Sequence, residues 1–159
     1  MENDLIRLFK EDSAVIMMSG RKGFGKTSFS LSLGEEAYEL GLITRIGTNI
    51  RTEDERVDRI VNLPDLKTWL SQKGRKHFIL DEAGQYLSRI RFMSKLNKMI
   101  LDIIQLIRHY DATFIAVAPN EKFIDSNYLN TDILDCRIKK ISLHFAQVKN
   151  YLTWQSYTL

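Results

Sequence analysis

Residues Gly20-Arg21-Lys22-Gly23-Phe24-Gly25-Lys26-Thr27 satisfy the spacing G-x-x-x-x-G-K-[ST] at every position. This one octapeptide constrains the chain more than any other feature. Before it stands a continuous apolar run, Ser13 to Ser19 (SAVIMMS), of the kind that forms a strand buried on both faces. After it, Lys26 to Leu40 has helical periodicity and is closed by Gly41, a C-terminal capping signal. Strand, glycine loop and helix in that order make a phosphate cradle. Glycines at 20, 23 and 25 let the backbone curl until successive N–H groups face an anion. The helix adds the partial positive charge of its first turn. Gly20, Arg21, Lys22, Gly23, Phe24, Gly25, Lys26, Thr27 and Ser28 are therefore the expected nucleotide-binding residues. Lys26 reaches the β- and γ-phosphates in this reading, and the Thr27 hydroxyl is a ligand of Mg2+.

A second chemistry-bearing segment is Phe78-Ile79-Leu80-Asp81-Glu82, an apolar run that ends in two carboxylates. Strand ends on one edge of a parallel sheet are where ligands collect. Asp81 is the expected second magnesium ligand, and Glu82 the base that orients and deprotonates the attacking water. The substrate is then a nucleoside triphosphate, read as ATP.

The rest of the chain reads as alternating strands and helices. Leu42 to Ile50 is a strand, and Thr52 to Arg59 a charged, exposed stretch. Pro64 opens a short helix through Leu70, followed by the strand His77 to Leu80. Ser94 to His109 carries Leu96, Ile100, Ile103, Ile104 and Ile107 at helical spacing. Thr113 to Ala118 is another buried strand, stopped by Pro119, and Met1 to Asp12 is a short helix or a lead-in. Ile133 to Leu143 and Gln147 to Tyr157 alternate like an antiparallel hairpin on the sheet edge. The expected fold is a three-layer α/β/α domain with a mostly parallel sheet, spanning 1–159 as one unit.

Composition narrows the setting. The chain has 159 residues, is 44% hydrophobic and 27% charged, and has a formal charge of +3, which permits nucleic-acid contact without requiring it. No apolar run is long enough to span a bilayer, and the start resembles no secretory leader. A single cysteine, Cys136, has no partner at metal spacing, reads as a packed residue and suits the reducing cytoplasm.

These residues resemble the additional-strand catalytic-glutamate division of P-loop ATPases, whose sheet is RecA-like. Within it the chain resembles the HerA/FtsK superfamily of DNA-pumping motors, and more closely its zonula-occludens-toxin-like branch, the assembly ATPases of filamentous phages. Thr48-Asn49-Ile50, Asp81-Glu82-Ala83 running on to Arg89 and Arg91, and Leu106-Ile107-Arg108-His109-Tyr110-Asp111 before TFIAVA carry the likeness, over about Val15 to Ile124. The family's sensing glutamine is replaced by Ala118-Pro119-Asn120, so the resemblance gives Asn120 the contact to the γ-phosphate or the water. It further implies a ring of identical subunits, such as a hexamer, in which an arginine reaches the neighbour's nucleotide. Arg108 is the first candidate and Arg91 the second, with His109 and Tyr110 as packing residues. DNA is the implied partner, through Arg51 to Arg59 and Arg89 to Lys98.

Asp81-Glu82-Ala83-Gly84-Gln85 also fits the D-x-x-G-Q switch of small GTPases, with Gln85 positioning water. Against that reading, no N-K-x-D follows: Asn120-Glu121-Lys122 has the wrong spacing. A nucleotide kinase needs an arginine-bearing lid that Asn127 to Asp135 lacks. A structural role without catalysis is the remaining alternative.

Overall fold

The apolar run after Ser13 forms the strand around which the others assemble. The computed structural model describes residues 5–10, 13–85, 95–130, 132–151 and 155–158. Strand β1 (Ala14–Gly20) is buried up to its last residue. Five more strands run parallel with it: β2 (Arg45–Thr48), β3 (Val57–Arg59), β4 (Lys76–Leu80), β5 (Ala112–Ala118) and β6 (Cys136–Lys140). β7 (Ala146–Asn150) and β8 (Gln155–Thr158) complete the sheet in antiparallel register. The order across the eight strands is β3-β2-β4-β5-β1-β6-β7-β8.

Successive residues of a strand face opposite sides, so each inner strand feeds two cores. Ile16, Met18, Ile79, Ile115 and Val117 pack toward α1 (Lys26–Glu39) and a 3₁₀ turn, Ile6–Phe9. Val15, Met17, Phe78, Leu80, Phe114 and Ala116 share the opposite core with residues of α2 (Leu63–Leu70) and α3 (Lys95–Gln105). Both faces are covered, as buried parallel strands require. This is the three-layer arrangement that the sequence pattern implies and the RecA-like sheet that the resemblance implies, with β6 and β7 as its C-terminal antiparallel hairpin.

Local signals set the helix ends. Gly41 takes φ +69°, its N–H bonds Tyr38 O at 3.0 Å, and the Leu42 N–H bonds Ala37 O at 2.9 Å. That pair of bonds is a Schellman cap. Asn62 caps α2 by accepting the Asp65 N–H at 2.9 Å, with Pro64 in the first turn.

Three segments differ from the sequence reading. Val57–Arg59, expected as exposed coil, adds a parallel edge strand beside β2; three half-exposed residues carry no apolar run to reveal it. The helix expected to reach His109 ends at Gln105, and a 3₁₀ turn, Ile107–Tyr110, leads into β5 through Asp111 at φ +48°. The arm read as Gln147 to Tyr157 divides into β7 and β8.

One buried group makes stability depend on pH. His77 on β4 is fully buried, its ring 4.9 Å from that of Phe9 and its Nε2 3.3 Å from Ser30 O. Burial pushes its pKa down from 6.5 to about 4, so the folded protein holds it neutral. An unfolded chain binds a proton there that the folded chain refuses. His77 thus contributes fully above pH 6.5, and the contribution fades as pH falls toward 4. Chemical denaturation from pH 7 to 4 should show about 3 kcal/mol of loss from this group. His77→Leu should remove that part of the pH dependence; a variant with an unaltered profile would contradict the assignment.

Candidate nucleotide site

β1 ends on Gly20 at φ +148°, and a Cβ there would lie 2.6 Å from the Lys140 carbonyl oxygen of β6. No other residue fits between the two strands. Gly23 (φ +84°) and Gly25 (φ +68°) take left-handed conformations open to glycine, and Gly25 serves as the N-cap of α1. The loop therefore turns directly into a 14-residue helix whose first N–H groups remain available. Lys26, Thr27 and Ser28 occupy its first turn. The Lys26 ammonium folds back and donates to Arg21 O at 2.9 Å, holding its charge over the loop.

The acidic strand end meets this loop. Thr27 donates its hydroxyl hydrogen to Asp81 Oδ2 at 2.7 Å, across 54 positions of sequence. The other carboxylate oxygen, Oδ1, accepts the Glu82 N–H at 2.8 Å. Asn49, just past β2, fixes the same residue: its Nδ2 donates to Asp81 O at 3.0 Å, and its Oδ1 accepts the Asp81 N–H at 2.8 Å. Glu82 adopts φ +52°, a costly conformation for a residue with a side chain, and is exposed. The turn Ala83–Gln85 follows, with Gln85 also exposed.

Asn120 lies two residues past β5, the strand between β1 and β4. Its side chain caps the next turn by accepting the Lys122 N–H at 2.9 Å. Neighbouring Glu121 accepts the Ser19 hydroxyl at 3.1 Å and pairs with Arg137 at 3.5 Å, so β1, the Asn120 loop and β6 are tied together. Gly20, Asp81 and Asn120 thus gather at the C-terminal ends of three neighbouring strands.

The oxygen donors suit magnesium. Thr27 Oγ1 and Asp81 Oδ2 converge, and a hard cation of this kind takes one or two protein oxygens plus phosphates and water. Among the described residues no three His, Cys, Asp or Glu side chains cluster into a closed metal cage.

Other sequence candidates lie elsewhere. Arg108 precedes β5, at the opposite end of the sheet, where it pairs with Asp135 at 3.3 Å while Asp135 accepts the Val15 N–H at 2.8 Å. It does not reach this chain's own phosphate loop. Arg91 and Arg89 fall outside the described residues. Within Arg51 to Arg59, Arg56 is committed to Asp54 at 2.6 Å, with Glu35 and Glu39 of α1 beyond it at 3.6 and 3.7 Å. Tyr110 packs against the core, whereas His109 is exposed. Cys136 is fully buried and its thiol is pushed up to about 12 by burial, which fits an inert packed residue.

Asn49 is the positioning residue that sequence reasoning assigned no role. Its signal was present in Thr48-Asn49-Ile50, but only the adjacency of β2 and β4 brings it against Asp81.

No protein-family profile and no curated protein matches the sequence. Solved structures do. The genome packaging NTPase B204 of Sulfolobus turreted icosahedral virus 2, in complex with ATPγS, superposes with a TM-score of 0.70 and 13% identity over 93% of this chain and 97% of that one. The N-terminal domain of zonular occludens toxin from Neisseria meningitidis gives 0.61 and 17%, over 92% and 93%. The conjugation coupling protein TcpA of pCW3, with ATPγS, gives 0.69 and 10%, over 96% of this chain and 60% of that one. At such identities the likeness is one of fold. The chain has the P-loop NTPase fold, and these proteins are of the kinds to which its sequence motifs point. Among the described residues no helix is long and apolar enough to cross a membrane.

Proposed function

We propose that this chain, as one domain over 1–159, hydrolyses ATP with Mg2+ to move or package DNA or to extrude a virus or plasmid. The contact that carries the reading is Thr27 to Asp81 at 2.7 Å, because it brings both halves of a phosphate-and-magnesium site together. The fold likeness to a protein described as a DNA-packaging ATPase and to one described as a conjugation coupling protein supports it.

In this reading Lys26 leaves Arg21 O and reaches the β- and γ-phosphates, while the loop N–H groups hold the β-phosphate. Thr27 and Asp81 would hold the magnesium, whose charge would offset that developing on the phosphates. Glu82, aimed by its left-handed backbone and by Asn49 through Asp81, takes a proton from the attacking water. Asn120 contacts the γ-phosphate or that water.

Since Arg108 stands at the far end of the sheet, it can serve only the nucleotide of a neighbouring subunit, leaving Asp135 to do so. A head-to-tail ring in the cytoplasm, of the host where the gene is viral or plasmid-borne, is the assembly this requires. ATP turnover per protomer, followed as protein concentration and DNA are raised, tests the ring. It should climb with both, and the DNA effect should weaken with salt. Turnover insensitive to both, and selective for GTP, would favour the Asp81–Gln85 switch instead.

A further inference from the structure

The chain carries an apolar groove on one side and an apolar projection on another. The groove, about 450 Å³, opens between α2 and α3, with Val61, Pro64, Leu66 and Met99 among its walls. Val61 is 55% exposed and Met99 38%, so both offer apolar surface to water. Leu80 and Asn49 line the groove too. Leu80 directly precedes Asp81, and Asn49 holds the Asp81 N–H and carbonyl. Whatever fills the groove therefore touches the residues that position this carboxylate.

The projection is the β6–β7 turn. Ile141 N–H donates to Phe145 O at 2.9 Å, and Lys140 Nζ donates to Leu143 O at 2.9 Å, which holds the turn in one shape. Lys140 also lies 4.9 Å from the centre of the Phe29 ring and so fastens the turn to α1. Yet three large apolar side chains stand in water: Ile141 is 45% exposed, Leu143 61% and Phe145 58%. Ile141 and Phe145 meet across the turn, and Leu143 occupies its tip. Together they expose on the order of 300 Å², the scale of the largest apolar patch on a typical monomer.

The turn cannot fill the groove of its own chain. It springs from β6 and β7 beside α1, whereas the groove lies at the ends of β2 and β4, in the opposite helical layer. β5 and β1 stand between β4 and β6, a separation of about 14 Å at ~4.8 Å per strand. An apolar patch and an apolar pocket on different sides of one molecule are satisfied by a second copy, in a heterologous contact.

Resting on the ring reading above, we propose that the β6–β7 turn of one protomer docks in the α2–α3 groove of the next, with Leu143 and Phe145 as its anchors. The turn stands beside its own phosphate loop, since Leu143 reaches to 3.6 Å from where a Cβ of Gly25 would lie. Docking therefore sets the phosphate loop of one protomer near the Asn49–Asp81 support of the next. From the groove, α3 runs on toward the turn that bears Arg108, in the same layer.

Sedimentation velocity at rising protein concentration, with and without magnesium ATP, tests this. It compares wild type with a turn variant (Leu143→Glu, Phe145→Glu) and a groove variant (Val61→Glu, Met99→Glu). All four positions are exposed, so each fold should survive, and thermal melting checks that it does. Serine replaces glutamate wherever melting shows loss of the fold. Wild type should pass from one chain to assemblies larger than a dimer, because a head-to-tail contact leaves a free surface at each end. Each variant alone should stay at the mass of one chain. An equimolar mixture of the two should form dimers and stop there, because each such pair has one intact turn facing one intact groove. A folded mixture that stays monomeric, or variants that assemble as wild type does, would overturn the docking and leave the ring to other surfaces or the groove to another partner. Wild type that stays at one chain throughout would overturn the ring reading, and this inference with it.

Discussion

Glu82→Gln should bind ATP as wild type does and hydrolyse it about 10²- to 10⁴-fold more slowly, the usual worth of a general base. The substitution keeps size and backbone while removing the only function assigned to the group, acceptance of a proton from water. Thr27 and Asn49 keep their hydrogen bonds to Asp81, because neither these nor the Glu82 N–H bond to Asp81 Oδ1 involves the Glu82 side chain. Binding and turnover should therefore separate. Equilibrium binding of ATP alongside the rate of phosphate release checks this in one preparation. Normal turnover by the variant would mean that another group activates the water.

Lys26→Ala should do the opposite and remove binding itself. A lysine whose ammonium reaches two phosphates supplies charge-assisted hydrogen bonds worth ~1.5–3 kcal/mol each. Losing them lowers affinity by about 100-fold or more. The fold should tolerate the change, since the ammonium's hydrogen bond among the described residues is to the Arg21 carbonyl of an exposed loop. A thermal-shift titration with ATP makes the comparison: wild type should gain stability with ligand and the variant should not. Retained binding would remove the basis for the phosphate-loop assignment.

How much of this the sequence disclosed depends on how far apart the partners lie along the chain. The loop, its strand and its helix are contiguous, so glycine spacing and apolar runs located them to within a residue or so. Asp81 and Glu82 were legible because an apolar strand that ends in acids is a local pattern. Contacts between strand ends were not legible. Asn49 meets Asp81 only because β2 lies beside β4, and Glu121 meets Ser19 and Arg137 only because β5, β1 and β6 are neighbours. No periodicity carries strand order. Arg108 illustrates the same gap: the family resemblance assigned it to a neighbouring subunit's nucleotide, and only the topology shows that it lies with Asp135 at the far end of the sheet. Val57–Arg59 escaped notice for a different reason, since an edge strand half in water has no buried face to impose a pattern.

The central claim is that the Thr27–Asp81–Glu82 cluster hydrolyses ATP. Phosphate release from ATP and from GTP, each measured with magnesium and with a chelator, tests it most directly. The account predicts magnesium-dependent release from ATP that disappears on chelation. No release from ATP, or release from GTP alone, would contradict it.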